Sequence, residues 1–398
     1  MQKDYMFYCP TRVLFGCGKI KELSDYINTS EDGFNATKAM IVISNGKSVK
    51  ETGTLSKVKE QLKNSNITYV VFDKVGANPV KAVVEEGARF AKENGCDCIV
   101  AVGGGSVMDA AKVMAMYANQ PGDLWDYVYG STGKMMPLVN PTIPVIAVTT
   151  TAGTGSEVDA WGVVTNPETN EKIGCGGQDS LFPVIAVVDP ELMVTVPPKF
   201  TAYQGFDTLF HSTEGFIAKT CNRMAEMVEK TAIENVGKYL ARAVKDGTDI
   251  EAREGMAFAN TLSGYSMVVS NCTSEHSMEH AMSAFHPNLP HGAGLIMISV
   301  EYYRWFIEKG ACPERFVEMA KLLGKKDAEK PEDFIDALIK LQKDCGVYDL
   351  KMSDYGITID ECEKFAENAR DTMGGLFLCD RVPMYVKDCA EIYRKAFK

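Results

Sequence analysis

Cys98-Ile-Val-Ala-Val102-Gly103-Gly104-Gly105-Ser106-Val-Met-Asp109-Ala-Ala-Lys112 is the stretch that decides the fold. Its opening apolar run shows no alternation, so it suits a strand covered on both faces, the habit of parallel sheets. The run after the glycines suits a helix. Glycines at a strand-to-helix turn let the backbone approach a ligand closely, and the N–H groups and dipole of the helix start favour an anion such as pyrophosphate. Gly103, Gly104, Gly105, Ser106 and Asp109 are therefore candidate phosphate-loop residues. Ser106 and Asp109 also have the spacing of a capping box, and the motif is not the GxGxxG of the common dinucleotide fold.

Working outward, the runs at 39–44, 68–73 and 144–148 repeat the same β-branched, apolar character, and 184–190 reads as a last strand returning to the sheet. Between them, 79–93 has helical spacing, with Asn78 placed to cap it and Pro79 at the first helical position. A second loop, Thr149-Thr150-Thr-Ala-Gly153-Thr-Gly155-Ser156-Glu157, again follows an apolar strand. Two such loops on adjacent strand ends make a groove suited to a dinucleotide. Beyond residue 200 helical periods take over at 224–244, 251–269, 295–308, 313–323 and 334–343. The expected architecture is an α/β nucleotide-binding domain over 1–190 and an all-α metal-binding catalytic domain over 191–398, with a cleft between them.

At 398 residues the chain exceeds what one core usually serves, and 45% hydrophobic with 24% charged residues is ordinary globular composition. A formal charge of −11 without a basic stripe argues against a nucleic-acid partner. No run approaches the ~20 apolar residues that span a bilayer, and Met1-Gln-Lys-Asp-Tyr5 lacks the apolar core of a secretory leader. A cytoplasmic protein without a membrane partner is expected, its twelve Cys reduced, with Cys96 and Cys98 the only close pair.

All five His lie between His211 and His291. Gly205-Phe-Asp207-Thr-Leu-Phe-His211 puts a carboxylate and an imidazole four residues apart on one helix face. His276-Ser-Met-Glu279-His280 is followed by His286 and by Pro290-His291-Gly292. Asp207, His211, His276 and His291 can surround one divalent ion and leave a position open, which separates a catalytic from a structural site. His280 or His286 competes for the fourth place. Trp161, Phe206, Phe210 and Phe285 are candidate walls of an apolar pocket.

The order of Gly-Gly-Gly-Ser-x-x-Asp-x-Ala-Lys at 103–112, Thr-Thr-Ala-Gly-Thr-Gly-Ser-Glu at 150–157, Gly-x-Asp-x-x-x-His at 205–211 and Pro-His-Gly at 290–292 resembles iron-containing, or group III, alcohol dehydrogenases, and most of all their butanol-dehydrogenase-like branch. The resemblance spans nearly the whole chain, Phe15-Gly16 and Asn78-Pro79 included. It implies a dehydroquinate-synthase-like architecture, reversible alcohol–aldehyde interconversion with a nicotinamide cofactor, Fe²⁺ or Zn²⁺ on Asp207, His211, His276 and His291, and a homodimer. His280 matches an additional histidine beside the metal and reads as a proton relay or an orienting residue. Lys172 falls where some members contact the nicotinamide side of the cofactor.

Cofactor choice is read from Ser44-Asn45-Gly46-Lys47-Ser48. NAD-preferring dehydrogenases place an acid near such a strand end to hold the ribose 2′-hydroxyl. None stands here, Gly46 leaves room, and Lys47 and Ser48 suit a 2′-phosphate, so NADP(H) is expected over NAD(H). Polyol dehydrogenases and dehydroquinate-synthase-like lyases are rival readings within the superfamily. His276-Ser-Met-Glu279-His280 also matches the HxxEH signature of a zinc metalloprotease, but that reading leaves Asp207, His211 and both glycine loops unexplained.

Overall fold

The computed structural model describes residues 4–28 and 34–398; Met1, Gln2 and Lys3 of the amino-terminal stretch lie outside them. Eight strands occur among the described residues: β1 (Arg12–Phe15), β2 (Lys38–Ser44), β3 (Thr68–Val75), β4 (Cys98–Gly103), β5 (Val145–Thr149), β6 (Trp161–Asn166), β7 (Glu171–Gly176) and β8 (Ile185–Val188). Six form one sheet in the order β1-β8-β5-β4-β2-β3, parallel throughout. The unbroken apolar runs have the expected consequence: alternate residues feed two cores. Met40, Val42, Ile99, Ala101, Val145 and Ala147 pack on one face, and Ile41, Ile43, Val100, Val102, Ile146 and Val148 on the other.

This topology aligns the loops. β2 and β4 are neighbours although the chain leaves β2 for the outer strand β3, so strand order reverses between them, and crevices at such reversals receive ligands. Gly103 pairs with Thr149 in register, and the Thr150 amide donates to the Gly103 carbonyl at 2.9 Å, which brings the two glycine loops side by side.

Two local expectations are corrected. The helix expected from Pro79 starts later, as Lys81–Glu93 with Val80 at its cap and no side-chain bond; Asn78 instead donates to the Pro287 carbonyl at 3.0 Å. Ser106 and Asp109 form no capping box. Ser106 Oγ donates to the Ala77 carbonyl, while the Asp109 carboxylate accepts from Ser156 Oγ at 2.6 Å and the Val163 amide at 3.0 Å. The antiparallel hairpin β6–β7 and the short edge strand β1 were not foreseen. The hairpin lies on the Gly105–Tyr117 helix because Gly162 leaves space there: a Cβ on it would stand 2.6 Å from the Asp109 carbonyl.

From Pro198 onward every regular element among the described residues is a helix, and Arg223–Lys245, Ile250–Val269, Pro313–Leu322 and Asp333–Asp344 follow the periodic runs closely. His291–Glu308 begins earlier than its apolar period, so His291 has a helical backbone. All twelve Cys are free, and no described helix is long and apolar enough to cross a membrane.

The two halves meet where the second glycine loop touches the Ile250–Val269 helix. Asn260 Oδ1 accepts the amides of Gly153 (2.6 Å) and Gly155 (2.9 Å), and Asn260 Nδ2 donates to buried Glu157 at 2.8 Å. Gly155 has φ +66°, and a Cβ on it would stand 2.3 Å from the Gly264 nitrogen; one on Gly264 would stand 2.3 Å from the Gly155 oxygen. Backbone on both sides cannot give way. Gly264→Ala is therefore expected to destabilise the protein by ~1–3 kcal/mol, read as a lower melting temperature, whereas Gly374→Ala, where nothing lies within 4 Å, stays close to the parent.

Candidate metal centre and dinucleotide groove

One cavity of about 1180 Å³ runs from the loop edge of the sheet into the helical half. Ser44 at the end of β2 and Gly46 after it, Ala77 after β3, Gly104, Gly105 and Ser106 after β4, and Thr151, Gly153 and Thr154 after β5 line one end; Asp207, His211, His276, His280 and His291 line the other. The volume exceeds the ~300–1,000 Å³ usual for a small-molecule site, leaving room for a dinucleotide with a second small molecule beside it.

Three helices bring the titratable groups together. Asp207 and His211 lie one turn apart on Pro198–Ile217, His276 and His280 one turn apart on Ser274–Phe285, and His291 opens the following helix. Each of three imidazoles is held through Nδ1. His211 donates to the Asp207 carbonyl at 2.9 Å, His276 to Glu214 and His291 to Glu279. Such partners fix tautomer and ring direction and leave Nε2 to ligate. The Nε2 atoms of His276 and His291 each stand 3.4 Å from Asp207 Oδ1. Asp207 Oδ1 and His276 Nε2 are buried without a hydrogen-bond partner, so two orphaned polar atoms face one another. A divalent cation is the group that satisfies both, and three imidazoles with one carboxylate suit Fe²⁺, Zn²⁺ or Mn²⁺.

Electrostatics agree with that fit. Burial alone would raise the Asp207 carboxyl, but the His211 and His291 imidazoles outweigh it and hold it well below the usual range. Burial and then the neighbouring His276 lower His211 to about 4. His280 is pushed well below its ordinary value by burial, then by the charges of Lys172 and His291. Among the loops, burial raises Asp109 to about 6 against the pull of Lys112.

Several sequence-predicted residues fall elsewhere. Gly103 and Thr149 end their strands, and neither they nor Thr150 line the cavity; Thr151, Gly153 and Thr154 line it instead. Thr149 Oγ1 is spent on the Thr151 carbonyl at 2.9 Å. Lys47 and Ser48 are exposed and outside the lining, because the chain turns away after Gly46 into a short helix. His286 points away from the centre, its Nε2 3.1 Å from both Glu361 oxygens. Phe206 and Phe210 are sealed in the helical core and Phe285 stacks near Phe365, so of the four proposed pocket aromatics only Trp161 lines the cavity.

Sequence reasoning missed Glu214, and it singled out Glu279 only within the rejected HxxEH signature. Glu214 also accepts the Thr273 amide at 2.9 Å, so it ties the start of the Ser274–Phe285 helix to His276. Glu279 Oε2 additionally accepts from Lys172 Nζ at 3.2 Å, and Lys172 donates to Ser283 at 2.8 Å. Lys172 on β7 is thereby wired to His291. The available signals were the spacing of Glu214 three residues beyond His211 and of Glu279 three beyond His276, each one helical turn on the same face.

A parallel sheet whose loop edge opens onto three imidazoles and a carboxylate can hold a nucleotide beside a divalent ion. The model of the iron-containing alcohol dehydrogenases matches residues 10–190, and that of the C-terminal part of the Fe-containing alcohol dehydrogenase family matches residues 201–397. The chain is 35% identical over 379 residues to the choline dehydrogenase of Bacillus subtilis, covering 93% of this chain and 90% of that one. It is 29% identical over 410 residues to the NADH-dependent butanol dehydrogenase B of Clostridium acetobutylicum, covering 99% of each. The solved structure of an archaeal, halo-thermophilic alcohol dehydrogenase from a Red Sea brine pool superposes with a TM-score of 0.92 at 34% identity over 100% of both chains. The chain belongs to the iron-containing alcohol dehydrogenase family and is an alcohol oxidoreductase.

Proposed function

We propose that the protein interconverts primary alcohols and aldehydes by hydride exchange with a nicotinamide dinucleotide at a divalent-metal centre held by Asp207, His211, His276 and His291, with Fe²⁺ as the native ion in preference to Zn²⁺. The observation that carries this reading is the convergence of oriented imidazoles on the unpartnered Asp207 Oδ1, in the same cavity as the glycine turns. When bound, the ion supplies Lewis acidity toward the substrate oxygen and the nicotinamide supplies or takes the hydride.

The chain's own residues bind, orient and move protons around that chemistry. The turn at Gly104, Gly105 and Ser106, with the amides of the Gly105–Tyr117 helix start, receives the pyrophosphate. Lys172, fixed by Glu279 and Ser283, stands at the nicotinamide end of the groove. His280 rests Nδ1 against Met373 Sδ at 2.9 Å, a weak partner, which leaves Nε2 to pass a proton to or from the substrate oxygen. A screen of short aldehydes for NADPH and NADH oxidation, with Fe²⁺ or Zn²⁺ restored, tests the reading; no turnover of any aldehyde or alcohol with either ion sinks it. The same screen with glycerol and sugar-acid phosphates separates the polyol and lyase rivals. Against a protease, Glu279 is fully buried with its Oε2 held by His291 and Lys172, which is not the setting of a base that activates a water.

The outer carboxylates make a graded prediction. Glu214→Gln keeps the shape beside His276 but replaces its anionic acceptor. Metal affinity, measured by competition with a chelator, is expected to fall ~10–100-fold; unchanged affinity would remove Glu214 from the centre.

NADP(H) preference over NAD(H) is proposed on narrower grounds, since Lys47 and Ser48 stand outside the wall. What supports it is the carboxylate-free lining at Ser44, Asn45 and Gly46. A Cβ on Gly46 would meet only Ser44 Oγ at 3.4 Å, so a side chain fits. Gly46→Asp is expected to lower the NADPH-to-NADH ratio of kcat/KM about 5-fold, the ~1 kcal/mol scale of an exposed charge pair. A clear NADH preference in the unaltered protein would contradict the proposal.

A further inference from the structure

His276 belongs to two ligand triads. One is Asp207, His276 and His291; the other is His211, Cys272 and His276, and within each the donor atoms lie inside 4.8 Å of one another. The second triad brings a sulfur to the centre. Cys272 is free and buried, and it lines the same cavity. It sits just before the Ser274–Phe285 helix, after Asn271, whose φ of 98° is sparsely populated for a residue with a side chain. Asn271 Oδ1 accepts the Cys272 amide at 2.9 Å, which fixes that turn. Independently, His276 Nε2 is a buried polar atom without a partner.

The surroundings are soft. Met267 Sδ is 3.1 Å from Cys272 Sγ, and Met267 and Met373 both line the cavity. Sulfur donors favour thiophilic ions, whereas a carboxylate favours harder ones. Exchanging Asp207 and His291 for Cys272, with His211 and His276 kept, therefore changes which ion the centre prefers.

We propose that Cys272 is an additional metal ligand, offered together with His211 and His276 to thiophilic divalent ions such as Zn²⁺, Cd²⁺ or Co²⁺. The proposal rests on the metal-centre reading above. On binding, the Cys272 S–H bond is exchanged for a sulfur–metal bond and the proton is released to solvent, with no change of oxidation state. An ion held in this way gains a sulfur donor and leaves Asp207 and His291 outside its ligand set, so its environment is softer than that of the catalytic set.

The test replaces the resident ion with Co²⁺ and records its electronic absorption. Visible ligand-field bands report Co²⁺ in the centre, and a near-ultraviolet thiolate-to-Co²⁺ charge-transfer band reports the sulfur. Both are expected in the unaltered protein, and Cys272→Ser is expected to lose the near-ultraviolet band alone. Ligand-field bands without the charge-transfer band in the unaltered protein, or a charge-transfer band that survives in Cys272→Ser, overturn the proposal and leave the metal centre standing. Absence of both bands overturns the metal centre itself. Should Cys272→Ser not fold, the unaltered protein still decides through competition: Zn²⁺ is expected to displace Fe²⁺ with release of a thiol proton, seen as loss of one titratable thiol per ion, and an unchanged thiol count overturns the proposal.

Discussion

His276→Ala protein is expected to carry no bound metal and to show no turnover, yet to bind a nicotinamide dinucleotide as the parent does. His276 Nε2 is one of the two orphaned atoms at the centre, and His276 is the one histidine shared by both ligand triads. Removing it takes away a donor and frees the Glu214 carboxylate that held it. Glu214 keeps the Thr273 amide and hydroxyl as donors, so the helix start survives and the loss is confined to the ion. The turns proposed to hold the dinucleotide lie after β2, β4 and β5, in the sheet half of the cavity, and share no hydrogen bond with His276. Elemental analysis with a dinucleotide titration checks both halves of the prediction. Full metal occupancy with parental turnover would dismiss the centre.

How far the sequence carried this is clearest by comparing elements. The sheet was legible because β2, β4, β5 and β8 are buried on both faces and their apolar runs carry no competing pattern. The hairpin β6–β7 was not: Thr165, Asn166, Glu171 and Lys172 are polar yet buried, so their burial follows from tertiary partners that no local period announces. The convergence of Asp207, His276 and His291 was readable because every histidine is clustered. Glu214 and Glu279 resembled ordinary helical carboxylates, and Cys272 was hidden among twelve scattered Cys. The loop reading failed in a specific way. Small residues at 149–157 suggested phosphate contacts, but the amides of Gly153 and Gly155 serve Asn260 and Gly155 admits Gly264, so part of that signal encodes the joint between the halves. Lys47 and Ser48 failed because strand-end proximity says nothing of which side of the next turn a side chain leaves.

His280→Ala is expected to retain its metal while aldehyde reduction near neutral pH falls by roughly 10²-fold or more, the scale of a positioned proton donor, with alcohol oxidation at high pH falling much less. His280 lines the cavity one turn from His276, its ring centroid 5.2 Å from that of His291, but it is absent from the triads that contain Asp207 or His276. Burial and the charges of Lys172 and His291 disfavour its cationic form, so the imidazole passes a proton rather than storing one. Reduction of an aldehyde needs that proton delivered to the substrate oxygen in a cavity whose lining includes Met373 and Leu376. Oxidation in alkaline solution needs one removed, which hydroxide accomplishes without a relay. The asymmetry between directions is what a merely structural histidine would not produce, because loss of packing depresses both alike. Measuring kcat/KM in each direction alongside metal content decides it. Equal losses would make His280 structural, and loss of the ion together with the rate would make it a ligand through the third grouping it forms with Glu279 and His291.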